Sequence, residues 1–431
     1  MARMLVIADD LTGAADCGVA CAGYGLRTMV ALDDCGDADA DVLAIDADTR
    51  AAAPEQAAAR TARLVRAHGG GREILVYKKL DSTLRGNVAV ELAAALDARR
   101  ALAGKDRRIV AVLAPAFPAN GRTTVNGRLL VHGRPLEETE LWQYERNEPP
   151  ASIARLLDAA QLRSAVVDLN TVRGDTLQDA MIALARDADV LVCDAETDAD
   201  LRMIAEASLV LGRETLWAGS AGLAYHLPPA AGLVQMQAEV LRIPLATGSA
   251  LFVIGSGSSA SREQAQLLAS CSDMLMIRIA PSVLRAGEQS PEWLRHRAAL
   301  ERALGAQRDA AVTIDVEPRA ASAAVSSQEP LLAAALADLV LPFADAVGAL
   351  VATGGETARA VFRAWGITAL HVVGEVEPGL PYSIATGWRR LLPVLTKAGG
   401  FGKPETLLNC RQFLRNLDRE GAKRAAINKR T

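Results

Sequence analysis

Residues 73–87 read EILVYKKLDSTLRGN. A short, β-rich apolar run meets two lysines, an aspartate, two hydroxyl side chains and an arginine within eight residues. EILVY at 73–77 has the length and composition of a buried strand. The charge begins where that strand is expected to end, and a second apolar stretch with helical spacing opens at about residue 88. A solvated turn would account for one or two polar residues there. It does not account for Lys79, Asp81, Ser82 and Arg85 together.

The same order of strand, polar cluster and helix recurs along the chain. Strands are expected at MLVIA (4–8), TMVAL (28–32), DVLAID (41–46), IVAVLA (109–114), AVVDL (165–169), DVLVCD (189–194) and TLWAG (215–219). A second series follows at ALFVIG (250–255), MLMIRI (274–279), AAVTIDV (310–316), GALVAT (348–353), ALHVVG (369–374) and LPVLTK (392–397). Apolar strands alternating with Ala/Leu/Arg-rich helices imply mainly parallel sheets covered by helices on both faces. The Pro- and Gly-containing stretch LPPAAGLVQMQAEVLRIPLATGSA at 227–250 breaks this rhythm. The expected fold class is therefore α/β with two domains, at 1–230 and 249–431, joined by a linker at 231–248. The tail from residue 419 is polar and is expected to fray.

The length of 431 residues fits two such domains, and 50% hydrophobic with 23% charged residues fits a globular chain. A net charge of −4 and 4% aromatic residues argue against a general nucleic-acid binder or a base-stacking platform. Six cysteines without a C-x-x-C pair, and five scattered histidines, favour reduced thiols over a disulfide framework or a zinc site. The N-terminus carries no signal-peptide pattern, and no apolar run reaches the length of a membrane span. A cytoplasmic protein with no nucleic-acid or membrane partner is expected.

In open α/β sheets ligands bind at the carboxyl ends of strands, so polar residues there carry the argument. ADDLTGAAD (8–16) places Asp9 and Asp10 at a strand exit, where one acid would suffice to cap the following helix. DADTR (46–50) ends in Arg50. APAFPANGRTTVNGRLLVHGRPLEET (114–139) is a long polar excursion whose spacing suggests a hairpin and a lid. In the second half, GSGSSA (255–260) fits the G-x-G-x-x-A pattern of dinucleotide sites, but the next strand ends in Ala280-Pro281 without the acid that would hold a ribose. ATGGETARAV (352–361) lets backbone amides approach a phosphate at a helix start. KAGGFGKPET (397–406) repeats the theme. No G-x-x-x-x-G-K-[ST] motif and no H-R-D or D-F-G set occurs.

Taken together, IADDLTGAAD (7–16), KKLDSTLRGN (78–87), APAFPANGRTT (114–124), GSGS (255–258), ATGGETA (352–358) and KAGGFG (397–402) resemble the four-carbon acid sugar kinase family, in order and across nearly the whole chain. The resemblance implies an ATP-dependent kinase acting on the terminal (4-)hydroxyl of threonate, erythronate or 3-oxo-tetronate. The N-terminal domain would hold the acid sugar and the C-terminal domain the nucleotide, with the active site in the cleft between them. It implies substrate contacts from Asp10, Arg50, Lys79, Asp81, Ser82 and Arg85, and ATP contacts from Ser258, Gly354, Gly355, Glu356, Thr357 and Gly400. Mg²⁺ would accompany ATP; its protein ligands are not identified. Asp10, Asp81 and Lys79 are the catalytic candidates, Asp10 or Asp81 serving as base and Lys79 or Arg85 steadying the phosphoryl group. Leu11 stands where the oxo-tetronate branch tends to carry Phe, which favours D-threonate or erythronate. The alternatives are a two-domain NAD-dependent oxidoreductase of a sugar acid and a non-catalytic sugar-acid-binding protein. Sugar acid and ATP are the expected partners, with a homo-oligomer left open.

Overall fold

The computed structural model describes residues 2–34, 36, 39–71, 73–104, 107–139, 142, 152–235, 248–315 and 329–428. By its internal contacts the chain divides into two compact units, Met1–Glu239 and Val240–Thr431. Most of the expected linker lies outside the described residues.

The N-terminal unit is built on eight parallel strands, β1 (Met4–Ala8), β2 (Thr28–Leu32), β3 (Val42–Asp46), β4 (Leu75–Lys79), β5 (Ala111–Ala114), β9 (Ser164–Val167), β10 (Val190–Cys193) and β11 (Leu216–Gly219). Their order is β2-β3-β1-β4-β11-β5-β10-β9. β1 thus lies between β3 on one side and β4 on the other, and the strand order reverses there. Such a reversal opens a crevice beyond the carboxyl ends of the strands. Register aligns those ends: Ala8 pairs with Asp46 and with Lys79, Lys79 with Gly219, and Gly219 with Ala114. Motifs far apart in sequence are therefore brought to one row.

Helices α1 (Leu11–Ala22), α2 (Pro54–His68), α3 (Val88–Ala103), α4 (Ile153–Asp158), α5 (Leu169–Val172), α6 (Leu177–Leu184), α7 (Asp198–Ser208) and α8 (Ala221–Ala230) connect these strands. The buried face of α1 is made of small residues, among them Gly13, Ala14, Ala15, Cys17 and Gly18, so the helix can lie close to its neighbours. The polar excursion forms its own antiparallel sheet of β6 (Arg122–Val125), β7 (Arg128–Val131) and β8 (Arg134–Pro135). Asn126 and Gly127 join β6 to β7 with positive φ at both positions, the geometry of a tight hairpin turn.

Four expectations are corrected. β4 runs to Lys79, so the two lysines belong to the strand rather than following it. α8 continues through Pro228 and Pro229 to Ala230, so the first residues of the stretch read as connection are helical. α5 begins at Leu169, directly after β9 and its Asp168 cap, which shortens the expected strand. The polar tail is helical rather than frayed as far as Asn428.

The C-terminal unit has strands β12 (Ser249–Ile254), β13 (Leu275–Ile279), β14 (Ala310–Ile314), β15 (Val347–Thr353), β16 (Ala369–Glu375), β17 (Pro381–Thr386) and β18 (Leu392–Lys397), in the order β13-β14-β12-β15-β18-β17-β16. β17 is antiparallel to both neighbours and was not expected from the sequence. Helices α9 (Ser259–Leu268), α10 (Pro281–Ala286), α11 (Pro291–Gly305), α12 (Glu329–Val340), α13 (Gly355–Trp365) and α14 (Thr406–Asn428) complete it. Ile254 pairs with Thr353 and Thr353 with Lys397, so three glycine-rich loops leave the sheet side by side. Phe252, Val351, Leu380, Ile384 and Leu395 form part of the core beneath them. Among the described residues no helix is long and apolar enough to cross a membrane.

Candidate active site

The adjacent lysines at the end of β4 point to opposite faces of the sheet, as a strand requires. Lys78 is fully buried against α3, where its amine lies 2.6 Å from Glu91 Oε2. That pair is scaffold. Lys79 turns the other way, over the N-terminus of α1, and its Nζ donates to the Leu80 carbonyl at 2.8 Å. A Cβ on Gly13 would lie only 2.8 Å from that nitrogen, so the glycine makes room for the amine.

Asp10 is the N-cap of α1. Its Oδ1 accepts from Gly13 N at 2.8 Å, and Oδ2 accepts from Thr12 Oγ1 and Arg50 Nη1, each at 2.7 Å. Asp10 thus caps α1 and at the same time pairs with Arg50. Arg50, at the end of the loop after β3, also donates from Nε to Asp9 Oδ2 at 2.7 Å and lies 3.4 Å from Asp81 Oδ1. One guanidinium therefore ties together acids from the ends of two strands. Asp81 is held further by both prongs of Arg85 and by Thr83. Asn87 Nδ2 donates to the Thr49 and Ala52 carbonyls at 2.8 and 2.9 Å, which fastens the Arg50 loop to the start of α3. Ser82 is half-buried in the turn between Asp81 and Arg85.

Burial alone would raise both acids. For Asp10, the charges of Arg50 and Lys79 and the Thr12 and Gly13 hydrogen bonds outweigh it and hold the carboxyl below the ordinary range. For Asp81, Arg85 and Arg50 do so more strongly, with further help from hydrogen bonds, and it lies well below that range. Burial likewise opposes the Lys79 ammonium, but Asp9 leads the surrounding acids in keeping it charged. Both candidate bases are thus ionised acceptors of hydrogen bonds, held on rigid strand and helix ends.

In the C-terminal unit, the loop after β12 carries Ser258 as the N-cap of α9, accepting from Ser261 N at 3.1 Å. Its hydroxyl donates to the Gly399 carbonyl at 2.7 Å, as does that of Ser261. Thr357 is buried with its hydroxyl against Gly255: a Cβ there would meet Oγ1 at 1.9 Å. Ser258 and Thr357 thus join the loops to one another. Gly354 has φ of 90°, a conformation open to glycine, and no side chain caps α13 behind it. The helix dipole at the start of α13 favours an anion. Glu356 is exposed, and Gly400 has open space where a side chain would stand.

Three contributors were missed by the sequence reading. Asp9 was noticed but left out of the expected contacts, although it orients Arg50 and supports the charge of Lys79. Lys397, quoted only as the start of a glycine loop, is buried and donates to the Ala398, Gly399 and Phe401 carbonyls at 2.9, 3.2 and 2.9 Å. Arg122, inside the polar excursion, lies within electrostatic reach of Asp81 and Arg85.

The N-terminal unit gathers an acid-and-guanidinium cluster at its strand ends, and the C-terminal unit three glycine-rich loops at its own, where α/β proteins bind small molecules. Residues 4–227 match the family model described as a sugar-binding N-terminal domain, and residues 251–407 the one described as a nucleotide-binding C-terminal domain. The chain is 40% identical to a D-threonate kinase from Cupriavidus necator, over 95% of this chain and 97% of that protein. It is 30% identical to a D-erythronate kinase from Heliobacterium modesticaldum, over 96% and 97%. A solved structure from Salmonella typhimurium LT2 shares the fold, with a TM-score of 0.77 at 23% identity, covering 94% of this chain and 98% of that one. The chain belongs to the four-carbon acid sugar kinase family.

Proposed function

We propose that the chain transfers the γ-phosphoryl group of ATP to the terminal (4-)hydroxyl of a four-carbon sugar acid, D-threonate first and erythronate second. The observation that carries this reading is the Arg50 bridge. It places Asp9, Asp10 and Asp81 at one strand-end row, beside Lys79 and Arg85, where ionised acids accept sugar hydroxyls and cations meet an anion. The preference for threonate rests on the closer similarity to a D-threonate kinase.

Asp10, Arg50, Lys79, Asp81, Ser82 and Arg85 are the proposed surroundings of the acid sugar. Lys79 is the proposed electrostatic stabiliser of the moving phosphoryl group. Carboxylates held this acidic are weak bases. A loose phosphoryl-transfer transition state needs little proton removal before bond making, so Asp10 or Asp81 can orient the hydroxyl and take its proton late. ATP is proposed to lie against Ser258, Gly354–Thr357 and Gly400. Among the described residues no group of three or more His, Cys, Asp or Glu side chains is placed to hold a metal ion. Mg²⁺ is proposed to accompany ATP.

The test is an ADP-release assay with Mg-ATP across threonate, erythronate and 3-oxo-tetronate stereoisomers. ADP release that depends on the acid supports the reading. Oxidation of the same acids with NAD and no ADP release would establish the oxidoreductase instead, and binding without turnover would establish a sugar-acid-binding protein.

A further inference from the structure

The three carboxylates of the site already face their cations. Arg50 serves Asp9, Asp10 and Asp81, and Arg85 serves Asp81 with both prongs. An acid sugar presents two ends of different character. Its hydroxyls suit those carboxylates, whereas its own carboxylate is repelled by them and needs a cation with unused donors. Arg85, one of the expected substrate contacts, has directed its fork at Asp81.

Arg122 meets the requirement. It opens β6, and its backbone is paired both ways with Phe117, N to O at 3.1 Å and O to N at 2.8 Å. The hairpin it opens is pinned to the end of β10. Thr124 and Ala195 exchange backbone hydrogen bonds at 2.8 and 3.1 Å, and Asp194 accepts from both amides of the Asn126-Gly127 turn. The side chain is thus presented from a rigid element. Its Nη1 donates to the Asn120 carbonyl. Its Nε is buried without a hydrogen-bond partner among the described residues. A buried guanidinium N–H left unpaired costs free energy, and such an orphan is the mark of a missing acceptor. What remains is the Nε–Nη2 edge, two parallel donors spaced for a carboxylate. Burial lowers Arg122 from the ordinary guanidinium range, Asp81 opposes that and Arg85 adds to it, so the group is within electrostatic range of both.

We infer that Arg122 is the carboxylate seat of the acid-sugar site, and hence the residue that distinguishes a sugar acid from the uncharged sugar alcohol of the same carbon skeleton. The inference rests on the proposed function and adds Arg122 to the substrate contacts that the resemblance implied.

The experiment is calorimetric titration, without nucleotide, of the full chain and its Arg122→Met and Arg122→Lys variants with D-threonate and with threitol, its uncharged counterpart. Wild type should bind threonate more tightly than threitol. Arg122→Met should weaken threonate by about ten- to a hundred-fold, the loss expected for a charge-assisted hydrogen bond, and leave threitol unchanged. Arg122→Lys should recover part of the loss, because an ammonium restores charge but not the paired edge. If either folded variant binds threonate as wild type does, or loses threonate and threitol alike, Arg122 is not the seat. Should Arg122→Met fail to fold, Arg122→Lys decides by the same ratio. Wild type binding neither compound overturns the proposed function and the inference together, an outcome distinct from failure of the variants alone.

Discussion

Arg85 donates from Nε to one oxygen of Asp81 and from Nη2 to the other, both at 2.8 Å. The bond is planar, two-pronged and only four residues long in sequence, and it fixes an acid that Arg50 also approaches from the neighbouring loop. Arg85 therefore fixes the position of Asp81 and helps to keep it ionised.

Replacing Arg85 with lysine keeps the charge and removes the fork. The loss of one charge-assisted bond, about 1.5–3 kcal/mol, should lower kcat/KM for the sugar acid by roughly ten- to a hundred-fold with ATP affinity unchanged. Arg85→Met should in addition let the Asp81 pKa rise towards its ordinary value. The acid limb of kcat/KM should then move to higher pH, which a pH–rate profile on the folded variant will show.

Gly13→Ala separates catalysis from stability. The added methyl would lie 2.8 Å from Lys79 Nζ and 2.9 Å from Asp10 Oδ1, and the flexible lysine is the partner able to give way. Alanine also favours the helix by about 1 kcal/mol over glycine. We expect kcat to fall with no loss in Tm. An unchanged kcat would remove the Lys79 amine from the reaction.

Lys78→Met should destabilise the N-terminal unit by about 3–5 kcal/mol, because Glu91 is left as an uncompensated buried charge. Lys78→Met with Glu91→Leu should recover much of that. Urea unfolding of the two single variants and the double variant measures the coupling.

Lys397 gives a pH signature. Burial pulls its amine from 10.5 down to about 8. Between those values the unfolded chain holds more protons than the folded one, so fold stability should rise with pH across that window and be flat below it. Near pH 8 the folded amine loses one of the three N–H donors that serve these carbonyls, so ATP affinity should fall as pH passes about 8. Lys397→Met should abolish that fall, as calorimetry with ATP at pH 7 and 9 will show.

The strands at 4–8 and 28–32 were legible residue for residue, because apolar runs between helical stretches have one physical reading. β4 was displaced by two residues because a lysine looks solvated until its partner is known, and Glu91 is thirteen positions away from Lys78. β17, PYSIAT, begins with proline and carries a serine, and its antiparallel pairing gives no pattern that an α/β rhythm would flag. The site residues at strand ends were legible as a set, since register collects whatever follows a parallel strand. Their pairings were not. Nothing in the string says that Arg85 turns to Asp81, that Thr357 packs on Gly255, or that Arg122, on a separate small sheet, comes within electrostatic range of Asp81.

Two lysines side by side at the end of β4 are chemically the same, yet one lies against α3 and the other in the site. A slip of that strand by one residue would turn every side chain over, bringing Tyr77 against Glu91 in one direction and Leu80 to the place of Lys79 in the other. Glu91 penalises the first slip, which would leave the carboxylate buried beneath the sheet without an amine. A carboxylate that never meets substrate thus works as a key for alignment. It favours Lys78 beneath the sheet and Lys79 over the start of α1 before any ligand arrives.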